Sequence, residues 1–122
     1  MIRSSDGLIF SGFADNSWTS SNEFCKSKKT FLFSLKSQSN EVGITKMHIN
    51  QDKCSSAMYH ISFYRPRFGG GYEFYIANDA NNKSSSYSYL GYFYEIPPGN
   101  TKTFLVGYTY FKVSEIEVFQ II

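Results

Sequence analysis

Leucine and alanine, the residues that most often build helices, number only 5 and 4 in this chain of 122 residues, which argues against a helical bundle. Long apolar runs are missing as well, and nothing in the sequence is long enough to span a bilayer as a helix. Charge is sparse and balanced. Twelve Lys and Arg against ten Asp and Glu leave a net charge of +2, too small to draw nucleic acid or an anionic membrane by its field. The two cysteines, Cys25 and Cys54, are too few for a disulfide scaffold. The opening stretch from Met1 to Gly7 lacks the apolar core of a secretory signal, so the expectation is an intracellular, cytoplasmic protein with free thiols.

Aromatic residues fill the space the helix formers leave. Twelve Phe, ten Tyr and one Trp make up 19% of the chain, and rings of this kind favour the pleated surface of a sheet. Alternation confirms the direction. Thr30 to Lys36 sets Phe31, Phe33 and Leu35 on one face and Leu32, Ser34 and Lys36 on the other. Met58 to Tyr64 and Tyr72 to Ala77 repeat the pattern, and near the end Ile116 and Val118 alternate with Glu115, Glu117 and Phe119. Further strands are expected at Leu8 to Phe13, Val42 to His48, Tyr89 to Tyr94 and Thr103 to Gly107, with one short helix between Asn16 and Lys29. Gly69-Gly70-Gly71 and Pro97-Pro98-Gly99-Asn100 mark turns, and the polar stretch from Asn78 to Ser86 reads as a surface loop. The chain is one domain's worth of residues. So many short strands with so little helix predict a mostly β fold, a two-layer antiparallel β-sandwich.

Chemistry is harder to find. His48 and His60 have neither the spacing nor the neighbouring cysteines of a zinc site. Cys25 lies close to Lys26, Lys28 and Lys29, whose charge would favour a thiolate, but an ordinary, partly buried cysteine is the better reading. The G-x-S-x-G elbow of a serine nucleophile is absent. Glu115 and Glu117, about 7 Å apart on one strand face, read better as a solvated face than as a glycosidase pair. Asp79-x-Asn81 opens like a calcium loop, but Ser84 and Leu90 stand where that loop needs Gly and Glu. The triple glycine lacks the Lys-Ser/Thr of a phosphate loop. Asn82-Lys83-Ser84 is a glycosylation sequon. Tyr87, Tyr89, Tyr92 and Tyr94 are dense enough to form a carbohydrate-binding or base-stacking platform, unless half of them face the core. The expectation is therefore no catalytic residue, no cofactor and no metal.

An ordered set of motifs carries more than any of these. Asp6-Gly7-Leu8-Ile9-Phe10-Ser11-Gly12-Phe13, then Trp18, then Lys29-Thr30-Phe31-Leu32-Phe33-Ser34-Leu35 resembles the middle of a TLDc domain. The resemblance continues through Phe68-Gly69-Gly70-Gly71-Tyr72-Glu73-Phe74-Tyr75-Ile76, Tyr89-Leu90-Gly91 and Thr103-Phe104-Leu105-Val106-Gly107, and closes with Val113 to Phe119. Ser11-Gly12 departs from the paired glycines usual at that turn. A full domain of this type has roughly 50–60 further residues before this point, so the resemblance implies a chain lacking the N-terminal part of the domain and prone to self-association through uncovered edges.

The same resemblance implies a non-catalytic interaction module of the kind found in oxidation-resistance proteins, some of which bind and regulate the vacuolar proton ATPase. Its expected partner is a protein, with the subunits of that ATPase as candidates, and not nucleic acid or a membrane interior. The candidate contact segment is Arg65, Arg67, Phe68, Gly69, Gly70 and Gly71, for which a plain turn and a solvated loop are the simpler alternatives. A sandwich binding carbohydrate through exposed tyrosines is the rival reading.

Overall fold

Two short-range rules, side chains alternating along each strand and strands reversing at glycine and polar turns, build this chain into two layers. The computed structural model describes residues 1–15, 23–37, 44–60, 67–69 and 73–120. Among them the chain forms β1 (Ile2–Ser4), β2 (Ile9–Phe13), β3 (Glu23–Cys25), β4 (Phe31–Lys36), β5 (Thr45–His48), a 3-10 turn (Gln51–Ser56), β6 (Met58–His60), β7 (Arg67–Phe68), β8 (Phe74–Tyr75), β9 (Ser86–Ser88), β10 (Tyr110–Phe111) and β11 (Val113–Ile116). A five-stranded sheet runs β11-β1-β2-β4-β5 and a six-stranded sheet β10-β9-β8-β7-β6-β3. Every strand pair is antiparallel.

The layers meet through rings. Phe10 of β2 is fully buried and lies edge-on to Phe74 of β8 at 5.5 Å and to Phe111 of β10 at 5.6 Å, both in the opposite sheet. Edge-to-face contacts of this kind add about 0.5–1.5 kcal/mol to the burial itself. Leu32, Met47, Ile49, Met58, Phe68 and Val113 join the same core. This is the mostly β, two-layer antiparallel sandwich that the alternation predicts. No helix among the described residues is long and apolar enough to cross a membrane.

Several elements differ from the sequence reading. In β4 the buried residues are Leu32 and Ser34, while Phe31, Phe33 and Leu35 are half-buried on the outer face. Register explains it: Ser34 sits opposite Phe10, where a small side chain leaves room for the ring. Outside, Phe31 stacks on Phe13 at 5.0 Å and takes the Lys46 ammonium over its ring, 3.7 Å from the centroid. Tyr89 to Tyr94 is not a strand; it is a looped segment whose one ladder contact is the bridge from Tyr94 to Ile49. Thr103 to Gly107 is a tight turn, closed by the Gly107 N–H donating to the Thr103 carbonyl at 2.6 Å, although Phe104, Leu105 and Val106 are buried. The described part of the Asn16 to Lys29 stretch contains β3, while Asn16 to Asn22, where the rest of the expected short helix falls, lie outside the described residues. Beyond Ile116 the alternation has no sheet to serve, and Val118 and Phe119 are exposed.

Gly12 shows how tightly the layers fit. A Cβ at this position would run into the ring of Phe68 across the interior, and that ring is itself held by the stack with Phe74 at 5.6 Å. Gly12→Ala is expected to destabilise the chain by about 1–3 kcal/mol, read as a lower urea midpoint. Adding Phe68→Leu should recover part of the loss, since it removes the clashing atoms.

Candidate functional site

The segment around the triple glycine does not present itself as a single surface. Arg65, Gly70 and Gly71 lie outside the described residues. Phe68 points inward and is 2% exposed. Gly69 is buried too, at φ +68°, where a Cβ would meet the Phe93 ring and the Glu73 side chain. Arg67 alone of the described members reaches the outer face.

Next to that turn sits a residue the sequence reading passes over. Glu73 has 0% of its surface exposed. Its carboxylate accepts the backbone N–H of Gly91 at 3.1 Å, of Tyr92 at 2.6 Å and of Phe93 at 2.5 Å. Its own carbonyl accepts the Tyr89 N–H at 2.8 Å. The other ties of this loop run elsewhere: Leu90 donates to the Lys102 carbonyl at 2.7 Å and Glu95 to the His48 carbonyl at 2.9 Å. One side chain thus performs for residues 91–93 the office a neighbouring strand would perform, because buried N–H groups must find acceptors. Burial pushes the Glu73 carboxyl up to about 7, against the pull of those N–H donors toward the charged form. With both oxygens engaged by backbone and no surface exposed, Glu73 is a structural clamp. One signal pointed to it: Glu73 is the sole charged residue between Arg67 and Asp79, and a charge in so apolar a run is usually buried against donors.

Above that clamp, the outer face of the six-stranded sheet carries a continuous row. Phe24 pairs with Tyr59, Tyr59 with Arg67, Arg67 with Tyr75, Tyr75 with Tyr87, and Tyr87 with Tyr110, one residue from each strand in direct register. The contacts are continuous. Phe24 and Tyr59 have ring centroids 4.8 Å apart, Tyr75 and Tyr87 are stacked at 5.6 Å, and Tyr87 meets Tyr110 at 5.4 Å. The Arg67 guanidinium carbon lies 5.6 Å from the Tyr59 ring and 4.9 Å from the Tyr75 ring. In β6 to β10 the inward residues, Met58, Phe68, Phe74, Ser86, Ser88 and Phe111, are buried and apolar or small, so alternation sends their partners in the row outward. Burial in the row, followed by the neighbouring phenols, pushes the Tyr87 hydroxyl up.

The four tyrosines near residue 90 do not share a platform. Tyr87 belongs to the row. Tyr94 is wholly buried and donates its hydroxyl to the Ala57 carbonyl at 2.7 Å, and that burial raises its pKa. Tyr89 and Tyr92 are exposed, but Lys102 lies 5.2 Å over the first ring and Lys53 4.4 Å over the second.

The remaining candidates whose side chains are described find ordinary surroundings. His48 is exposed on the outermost strand of its sheet, and the side chains of Cys25 and His60 lie outside the described set. Cys54 is a free, buried thiol. Glu115 pairs with Arg3 at 3.6 Å across an exposed strand face, an arrangement worth little in water. Ser27 donates to Asp15 at 2.6 Å and caps the N–H groups of Lys29 and Thr30, which pins a turn. Asn82 donates to Asp79 at 2.7 Å on the surface loop. Among the described residues, no group of three or more His, Cys, Asp and Glu could hold a metal ion.

The clamp makes stability depend on pH in a stated direction. A carboxyl whose folded-state pKa lies above its unfolded value favours the fold while protonated. The contribution is therefore whole below about pH 4.5 and is lost as pH rises through about 7. The difference amounts to about 3 kcal/mol. Urea denaturation of the native chain and of Glu73→Gln across that range should show this slope in the first and not in the second. At low pH the variant should also be the weaker, since a glutamine NH2 faces one of the three N–H donors.

Comparison with known proteins agrees with the motif pattern. No match was found among curated proteins or solved structures. The family model of the TLDc domain, however, matches residues 1–122, and this chain belongs to that family.

Proposed function

We propose that the chain is a non-catalytic protein-interaction module of the TLDc type, working through the outer face of its six-stranded sheet. The observation that carries this reading is the register-paired row from Phe24 to Tyr110, which places four tyrosines, a phenylalanine and an arginine in unbroken contact on one face. Tyr and Arg are the residues that dominate binding energy at protein interfaces, because they combine large contact area with a polar tip. Phe24 and Tyr110, at the two ends, are 54% and 58% exposed. Six strands at about 4.8 Å spacing make a strip about 24 Å long, the scale of one side of an ordinary protein interface.

The non-catalytic part of the proposal is supported by the state of Glu73, the strongly perturbed carboxyl among the described residues, whose oxygens are engaged by backbone donors. The biological setting proposed is protection from oxidative stress or regulation of the vacuolar proton ATPase. That step rests on family membership and not on geometry.

The test is binding of the chain to purified vacuolar proton ATPase by surface plasmon resonance. Tyr75→Ala and Tyr110→Ala should each weaken binding by about tenfold, with the far-ultraviolet circular dichroism unchanged, while Tyr92→Ala should not. Equal affinity for all three variants would remove the outer face from the reading. Absence of binding by the native chain would remove the ATPase.

A further inference from the structure

The geometry points to a second docking site, on the open edge of the five-stranded sheet, where Ile116 and Val118 take up an extended polypeptide strand of alternating apolar and basic side chains. It belongs to the opposite sheet from the aromatic row and works independently of it. β11 is the outermost strand, with β1 on one side and no strand on the other. Along an antiparallel ladder, main-chain groups face a given neighbour at alternate residues. At Glu117 they face β1: its carbonyl accepts from the Met1 amine, and its N–H donates to the Met1 carbonyl at 2.7 Å. The N–H and C=O groups of Ile116 and Val118, on either side, therefore turn toward the open edge. Native sheets usually close such edges, and this one is closed over its first half. Val113 donates to the Ala80 carbonyl at 2.9 Å. Ser114 bulges out of register and folds its hydroxyl back on the Arg3 and Ser4 carbonyls, both at 3.2 Å. The second half has no such cover, and Val118 and Phe119 are 82% and 68% exposed.

Backbone and charge together select the occupant. Main-chain donors and acceptors two residues apart fit another extended backbone, whose groups repeat at the same interval. An added antiparallel strand bonds to Ile116 and Val118 and leaves Glu117 in a non-hydrogen-bonded pair, where facing side chains come closest. At the closed end the charges are mixed, with Lys112 on the chain and Asp79 and Lys83 on the loop of Ala80. At the open end both charged residues, Glu115 and Glu117, are acidic and exposed. Arg3, at 3.6 Å from Glu115, and the Met1 amine beside Glu117 answer them from the β1 side. On the open side that place falls to the incoming strand, and a Lys or Arg opposite Glu117 completes the ladder of opposite charges. Apolar residues at the alternate positions then lie beside Val118 and Ile116, which already packs against the core. A second copy of the chain fits poorly. Antiparallel pairing centred on Glu117 sets this carboxylate against its own copy, and pairing centred on Ile116 sets it against Glu115. Like charges directly opposite destabilise a ladder.

The experiment uses the whole chain, with amide hydrogen exchange followed by NMR, and three short capped peptides of valine alternating with lysine, threonine or glutamate. In the free chain the Ile116 and Val118 amides should exchange rapidly while that of Glu117 is protected by β1. The lysine peptide should slow both and bind at least about tenfold more tightly than the glutamate peptide, with affinity falling as salt is raised. Val118→Pro removes an N–H that faces the open edge and leaves the bonds of Glu117 to Met1 in place, a setting in which sheets accept proline. It should weaken lysine-peptide binding by about tenfold with the urea midpoint unchanged. Glu117→Gln should remove most of the gap between the lysine and threonine peptides. Should Val118→Pro fail to fold, the exchange pattern of the native chain and its response to the lysine peptide still decide the matter. Protection of the Ile116 and Val118 amides before any peptide is added, no slowing of either by the lysine peptide, equal binding of the lysine and glutamate peptides, or binding by Val118→Pro as tight as by the native chain would each overturn the inference. A native chain that sediments as a dimer and becomes a monomer on Val118→Pro would give the edge to a second copy, and would overturn it as well.

Discussion

One buried carboxylate replaces a missing strand. Residues 91–93 pass beside the six-stranded sheet without joining a ladder, and their N–H groups would be left without acceptors if Glu73 did not reach across to take all three. The cost is a charge in a dry place, and the chain meets it by raising the carboxyl's pKa until it sits near neutrality. Much of the local geometry answers to this arrangement. Gly69 must be a glycine because a Cβ would strike both Glu73 and the Phe93 ring, and Tyr94 is held in the core by its own bond to Ala57.

The clamp also has a bearing on the outer face. Glu73 immediately precedes β8, which carries Tyr75, and its carbonyl ties the chain just beyond β9, which carries Tyr87. These two strands supply the stacked pair of the row. Inward, Phe74 of β8 packs against Phe10 of the other sheet and stacks on Phe68 of β7. A row whose members are each set by backbone register, and which is backed at β7, β8 and β10 by packed rings, presents a stiff surface, and stiffness reduces the entropy lost when a partner docks.

Local patterning foretold the strands wherever alternation was long enough to count. β2, β4, β5 and β6 begin within about three residues of their expected starts. The reading failed where aromatic density imitated alternation. Tyr89 to Tyr94 has the composition of a strand, yet the N–H groups of residues 89–93 go to Glu73 and Lys102 instead of to a neighbouring strand. It failed again at Thr103 to Gly107, where a buried apolar run closes on itself as a turn. Of the candidate contacts, Arg67 sits on the outer face, whereas Phe68 and Gly69 serve the core.

The residue types along the chain, by themselves, determined that the fold would be β, that it would have two layers, and that its family would be TLDc, because alternation and motif order are properties of neighbouring residues. Only the tertiary structure decided which face of each strand is buried and which side chains stand together. Ser34 faces inward because Phe10 lies opposite it, and the six members of the outer row come from strands spread between residues 23 and 111. Register across strands is a long-range relation, set by how two sheets pack, and no stretch of sequence short enough to be read alone contains it.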